Sequence, residues 1–127
     1  MDENQFTGIG GAGLYIAGSG MDIVNNVFNG PCDLGNVQGG PVESGNRFAG
    51  NVLNVPAGCP AGGSALYIYS DGNVIENNII RGAQGCGLSF TSTARKNSYR
   101  GNMLRGNIGG PVCDAGTGNT DDGGNVY

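Results

Sequence analysis

The feature that most constrains this chain is an asparagine that recurs at nearly even spacing along its length. We take as a mark the second asparagine of the paired Asn-Asn in the phrases GMDIVNNVFNG and GNVIENNIIRG. Equivalent asparagines follow one another at intervals of 22, 25, 27, 24 and 23 residues, and they are Asn4, Asn26, Asn51, Asn78, Asn102 and Asn125. A unit of about 24 residues cannot bury its own apolar face, so it must stack on its neighbours.

Apolar residues keep the same register as the mark. Two positions after it, every unit carries a large apolar residue: Phe6, Phe28, Leu53, Ile80, Leu104 and Tyr127. Further segments alternate with a period of two at 13–17, 65–69 and 87–91, and no segment shows a helical period. The pattern predicts short parallel strands stacked about 4.8 Å apart, with the mark asparagines bonded side chain to side chain as a ladder. Asn46, Asn73 and Asn97, each five positions before a mark, predict a second, partial ladder.

The pattern GxYI…GNxIxNNxIxG resembles the right-handed parallel β-helix superfamily, with its pectate-lyase-like and carbohydrate-binding or sugar-hydrolase coil repeats. The resemblance covers nearly the whole chain. It implies an all-β fold, a single-stranded right-handed parallel β-helix of about five coils with an internal Asn ladder. We expect one domain over residues 1–127 that lacks terminal caps, as in a segment excised from a longer solenoid, because no amphipathic helix flanks the repeat.

Composition excludes several classes of function. The chain has no histidine, which removes imidazole bases and histidine metal sites, and its net charge of −4 argues against a nucleic-acid partner. No apolar run reaches the roughly 18 residues of a membrane span, and the start MDENQFTGIG lacks the basic and apolar regions of a signal peptide. We therefore expect no cofactor, no metal and no membrane span.

Four cysteines are spaced by 27 residues each, and all follow the mark in the same variable loop of successive units: Cys32, Cys59, Cys86 and Cys113. The coil spacing lies within the Cα separation that a disulfide accepts, whereas three coil steps do not. We predict the bridges Cys32–Cys59 and Cys86–Cys113, which place the protein in an oxidising compartment: secreted, periplasmic or at the cell surface. Four thiolates strung along the axis cannot converge on one metal ion, but four buried free thiols remain an alternative.

Charged residues of neighbouring units share register. Three acids are predicted to stack on three arginines, as the pairs Asp22–Arg47, Glu76–Arg100 and Asp71–Arg95. No cluster of free carboxylates remains, so we predict no catalytic residue. Arg81 and Arg105 instead place like charges in adjacent coils, where a uronate or sulfate would relieve the repulsion; plain solvation is the alternative.

Two further surfaces are candidates for binding. Alternation points Tyr67 and Tyr69 outward, with Tyr15 in the matching position of an earlier coil. In the resembling family such a face often binds glycans, although ordinary surface tyrosines would give the same pattern.

The residue directly after each mark is also apolar, which predicts an exterior stripe suited to an interface: Val27, Val52, Ile79, Met103 and Val126. The alternative is a corner at the mark that breaks the alternation and buries both residues.

The sequence therefore predicts an extracellular, non-enzymatic β-helix module that binds an extracellular or acidic polysaccharide, self-associates through the stripe or the open coil ends, or does both. The alternative is a polysaccharide-active enzyme, a lyase, hydrolase or epimerase of the pectate-lyase-like class, or a fragment of one. Its active surface would lie near Tyr67, Tyr69, Arg81 and Arg105.

Overall fold

The computed structural model describes residues 1–7, 12–16, 18–36 and 44–127, and only the backbone of 12–16 and 33–36. Within these ranges the chain forms strands and turns but no helix. In chain order the strands are β1 (Gln5–Thr7), β2 (Ala12–Ile16), β3 (Asp22–Val24), β4 (Val27–Asn29), β5 (Asp33–Asn36), β6 (Arg47–Ala49), β7 (Val52–Asn54), β8 (Leu66–Ile68), β9 (Val74–Glu76), β10 (Ile79–Arg81), β11 (Cys86–Phe90), β12 (Ser98–Arg100), β13 (Gly110–Asp114) and β14 (Thr120–Asp121).

The strands pair in parallel into three sheets that wind around one core. Sheet A has the order β14-β12-β9-β6-β3, sheet B the order β1-β4-β7-β10, and sheet C the order β13-β11-β8-β5-β2. Isolated bridges at Met103 and Val126 continue sheet B beyond β10. Five strands in a sheet correspond to about four complete turns, so the predicted parallel β-solenoid is confirmed.

Side chains alternate across sheet B as the sequence predicts. Phe28, Leu53 and Ile80 are buried in the core, whereas Val27, Val52 and Ile79 beside them are half-buried on the outer face. Corners at the mark asparagines therefore do not bury both residues. At the C-terminal end the inward position is exposed, because Tyr127 retains 55% of its accessible surface.

The mark asparagines form the predicted ladder through the buried interior. Asn51 donates from its backbone nitrogen and its Nδ2 to Oδ1 of Asn78, at 2.9 and 3.1 Å. Asn78 repeats both contacts with Asn102, at 3.0 Å each, and its Nδ2 also donates to the carbonyl oxygen of Phe48. The same pattern runs from Asn4 to Asn125, so each coil is hydrogen-bonded to the next inside the fold.

The second ladder is also present and is longer than predicted. Asn46, Asn73 and Asn97 bond in sequence, and Asn97 then donates to Oδ1 of Asn119 from its backbone nitrogen and its Nδ2. Asn119 was not predicted as part of this ladder, because it stands six positions before its mark, Asn125, and not five.

The sharp backbone turn falls on the residue before each mark and not on the mark itself. That residue has a positive φ in every unit: Glu3, Asn25, Gly50, Asn77, Gly101 and Gly124. From Asn25 to Gly101, asparagine and glycine alternate at this position, because a Cβ on Gly50 would lie 2.6 Å from Oδ1 of Asn25, and Gly101 meets Asn77 in the same way. The paired Asn-Asn therefore appears in only some units, because one asparagine side chain fills the space above the corner of the next unit.

Both predicted disulfides are present, and the described residues hold no free cysteine. Cys32–Cys59 and Cys86–Cys113 have Cα separations of 5.4 and 5.9 Å, and each joins neighbouring coils. The expectation that all four lie in one loop is wrong, since Cys86 begins β11 and Cys113 lies within β13. Disulfides of this kind indicate an oxidising environment.

Carboxylates of the same coil accept the side-chain donor of the last asparagine in each ladder. Oδ1 of Asp114 accepts Nδ2 of Asn119 at 2.8 Å, and Oδ1 of Asp121 accepts Nδ2 of Asn125 at 2.6 Å. The Tyr127 hydroxyl donates to Asp121 and lowers the pKa of that carboxyl group. Asp121 is thus engaged in hydrogen bonds within the fold.

Candidate functional site

The charged residues of sheet A neutralise one another around a buried carboxylate. The Glu76 side chain is only 8% exposed and lies between two arginines. Arg100 donates from Nε and Nη2 to Oε2 at 2.9 and 2.6 Å, and Arg47 donates from Nε to Oε1 at 2.7 Å. These hydrogen bonds, first from Arg100 and then from Arg47, hold the pKa of Glu76 below its usual value. Glu76, Arg47 and Arg100 therefore form a structural ion-pair triad on sheet A.

We expect Glu76→Gln to lower the free energy of unfolding by about 1–2 kcal/mol at pH 7, since it removes charge-assisted hydrogen bonds from a buried acceptor. The lowered pKa gives stability that is present above the pKa of the unfolded state and is lost as the pH falls through the folded value. Urea unfolding at several pH values checks this. The gap between the native and variant curves should begin to narrow near the unfolded value, at about pH 4, and should close once the pH is below the folded value. Asp22→Asn, at an exposed acid, should change little. An equal gap at pH 7 and pH 3 would contradict the assignment.

The three predicted acid–arginine pairs do not all form as expected. Glu76–Arg100 and Asp22–Arg47 are confirmed as ion pairs, although Arg47 lies 3.8 Å from Asp22 and has Glu76 as its closer partner. The prediction that the side chains of Asp71 and Arg95 form an ion pair is wrong. The backbone nitrogen of Arg95 donates to Oδ1 of Asp71 at 2.9 Å, and the described contacts include no ion pair between the two side chains.

Arg81 and Arg105 lie together in a groove, as their shared register predicts. The groove has a volume of about 500 Å³ and is lined by Asn54, Val55, Arg81, Gly82, Arg105 and Gly106. Ile79 bridges to Met103, and Gly82 donates to the carbonyl of Gly106 at 3.3 Å, so this segment of the chain stays in register across the two coils. Both arginines are exposed, and no carboxylate of the described residues lies within ion-pair distance of either one. Two exposed arginines without a carboxylate partner among the described residues therefore line the same open groove.

An exposed amide column leads into this groove. Asn29 and Asn54, at the ends of β4 and β7, occupy the same register position as Arg81 at the end of β10. Asn54 accepts a hydrogen bond from Nε of Arg81 at 2.6 Å, and its own Nδ2 donates to Oδ1 of Asn29 at 2.5 Å. Asn54 is not among the predicted binding residues. The signal was present, because Asn54 and Arg81 both stand three positions after a mark.

The tyrosines form a separate surface on sheet C. Leu66 and Ile68 are buried and Tyr67 and Tyr69 are half-buried, as alternation predicts. The two rings stack with centroids 6.0 Å apart, and the Tyr67 hydroxyl accepts a hydrogen bond from the backbone of Ser64. Neither ring lines the groove. The structure therefore does not join the tyrosines and the arginines into one site.

Tyr15 lies in β2, where only the backbone is described. It pairs with Gly35 of β5, and Gly35 pairs with Tyr67 of β8. The backbone register between Tyr15 and Tyr67 is thus as predicted.

The apolar stripe lies on the outer face of sheet B. Val27, Val52 and Ile79 are half-buried, while Met103 and Val126 retain 43% and 37% of their accessible surface. The stripe runs beside the column of Asn29, Asn54, Arg81 and Arg105, two residues away along each strand. One face of the solenoid therefore combines an aliphatic track with a polar and basic edge.

Comparison with protein-family models, with curated proteins and with solved structures finds no match for this chain. The fold and surface define it as a parallel β-solenoid with two inter-coil disulfides and a basic groove. Within the described parts of the chain, no group of three or more His, Cys, Asp or Glu residues is placed to hold a metal ion. Those parts also contain no helix that is long and apolar enough to cross a membrane.

Proposed function

We propose that this protein is an extracellular, non-enzymatic β-helix module that binds an acidic glycan on the outer face of sheet B. The single observation that carries the proposal is the pair Arg81 and Arg105, exposed, adjacent and without a carboxylate partner among the described residues. Guanidinium groups bind carboxylates and sulfates through charge-assisted hydrogen bonds. The resemblance to the pectate-lyase-like superfamily, whose members handle acidic polysaccharides, points to the same ligand class.

Contrast with sheet A supports a binding role for the pair. Arg47 and Arg100 have Glu76 as an internal counter-ion, so their charge is satisfied within the fold. Arg81 has only the neutral amide of Asn54, and no described residue bonds the side chain of Arg105. Like charges in adjacent coils repel, and an external anion between them would relieve that repulsion.

The size of sheet B favours a chain-like ligand over a second copy of the protein. Strands of three residues give a face about 10 Å wide, and five coil steps give a length of about 24 Å. The resulting area of about 240 Å² is well below the roughly 800 Å² per partner of a stable protein interface. Self-association through the stripe would therefore need additional surface.

The groove lining contains no carboxylate and no other side chain with a pKa suited to a general base at neutral pH. For this reason we place the polysaccharide-active enzyme second, and the same experiment tests it.

The test measures binding of the full chain to immobilised polygalacturonate, dextran sulfate and uncharged dextran. We expect binding to at least one acidic polymer, none to dextran, and a loss of about 10- to 100-fold for the groove variant Arg81→Ala, since one charge-assisted contact contributes about 1.5–3 kcal/mol. Arg95→Ala is the matched control, because it removes one exposed arginine outside the groove.

Two outcomes would overturn the proposal. Equal weakening by Arg95→Ala and by the groove variant would show only a general charge effect. New reducing ends or unsaturated products in the acidic polymers, abolished by Arg81→Ala, would establish the enzyme instead.

A further inference from the structure

We infer that Asn54 is a positioning residue that orients Arg81, so that the groove holds one carboxylate or sulfate group between Arg81 and Arg105. This inference rests on the proposed function and names the arrangement by which the groove binds an anion.

The orientation of the Asn54 amide is fixed by its two partners. Its Oδ1 accepts from Nε of Arg81, and its Nδ2 donates to Oδ1 of Asn29. A flipped amide would place the NH₂ group against Nε of Arg81, which is itself a donor, so only one orientation is compatible with the contacts. Asn54 is half-buried at the end of β7, where the strand holds its backbone.

This contact determines which edge of Arg81 is available to a ligand. Arg100 presents Nε and Nη2 together to a single oxygen of Glu76, which is a side-on approach. In Arg81 the Nε position is already occupied by the Asn54 amide, so an anion meets the two terminal Nη groups. The amide is neutral, so it fixes the guanidinium while leaving its charge uncompensated.

Arg105 completes the arrangement from the next coil. Equivalent residues of adjacent coils are about 4.8 Å apart, a separation that one carboxylate or sulfate group can bridge. The residue after each arginine is a glycine with a positive φ. Gly82 has φ +87°, and a Cβ there would collide with the carbonyl oxygen of Val55, whereas Gly106 has φ +71° and open space around it.

The test uses dextran sulfate, because its sulfate esters stay ionised when the pH is lowered, and it compares Asn54→Asp with the native chain. At pH 7 the introduced carboxylate pairs with Arg81 and competes with the polymer, so we expect binding to fall about tenfold, to the level of Arg81→Ala. As the pH falls below the pKa of the introduced carboxyl group, binding by Asn54→Asp recovers, while Arg81→Ala stays weak. A merely structural role for Asn54 would not produce this pH dependence.

Asn54→Ala provides a second variant that introduces no charge, and we expect it to weaken binding about three- to tenfold. Arg95→Ala again controls for net charge, and thermal unfolding of each variant verifies that the fold is retained. Polygalacturonate in place of dextran sulfate at pH 7 shows whether the anion is a carboxylate or a sulfate.

The possible failures can be told apart. If Arg81→Ala binds both acidic polymers as the native chain does, the proposed function of the groove is wrong. If Arg81→Ala is weak but Asn54→Asp and Asn54→Ala bind like the native chain at pH 7, the groove stands and the positioning role of Asn54 is overturned.

Discussion

Replacing Asn78 by alanine is expected to lower the free energy of unfolding by about 3–5 kcal/mol, a large share of the stability of a domain this size. The substitution removes the Oδ1 acceptor of two donors on Asn51 and the Nδ2 donor of the Phe48 carbonyl oxygen. All these groups are buried, so water does not replace the lost partners. Urea unfolding followed by circular dichroism measures the loss.

The control for this substitution is Asn29→Ala, which removes an exposed amide from the amide column on the surface of sheet B. We expect it to cost less than about 1 kcal/mol, because its single side-chain partner can bond water instead. Similar losses for Asn29→Ala and Asn78→Ala would mean that burial of the ladder contributes little to stability.

Loss of the disulfides is expected to have the second large effect. Each bridge closes a loop with a sequence separation of 27, for which chain entropy predicts about 3–4 kcal/mol of stabilisation. The variants Cys32→Ala/Cys59→Ala and Cys86→Ala/Cys113→Ala should each lose about this amount. A reducing agent should lower the urea midpoint of the native chain by more than either variant alone.

The response to reductant distinguishes bridged from free cysteines. A chain that lacks one bridge should still respond to reductant through the other, and a chain without cysteines should not respond at all. If the native chain unfolds at the same urea concentration with and without reductant, the four thiols are free and the inferred oxidising environment is wrong.

The ladder residues were predictable from sequence because the same buried hydrogen bonds recur in every coil. A buried asparagine such as Asn51 or Asn102 must bond its copies above and below, so its spacing reports the coil length. The inward residues Leu53 and Ile80 follow from strand alternation once the mark is known. Asn119 was missed because the last coil shifts the second ladder by one residue relative to the mark.

The contacts of the charged side chains were less predictable. Register placed Arg81 beside Arg105 correctly, but it also paired Asp71 with Arg95, where the carboxylate instead accepts from the backbone nitrogen. Register specifies which backbone positions are adjacent, whereas a long flexible side chain reaches diagonally to any partner within several ångströms. The contact of Arg47 with Glu76, two strand positions further along in the next coil, is of this kind.

The sequence by itself determined the parallel solenoid, the main ladder, the core residues and both disulfide pairs. These depend on backbone periodicity, which is a local property repeated in every coil. Only the tertiary structure decided that asparagine side chains fill the space above the glycine corners Gly50 and Gly101, that carboxylates accept the last amide donor of each ladder, and that Asn54 bonds Arg81. Those features depend on where side chains meet across coils, and that distance is set by the packed fold and not by spacing along the chain.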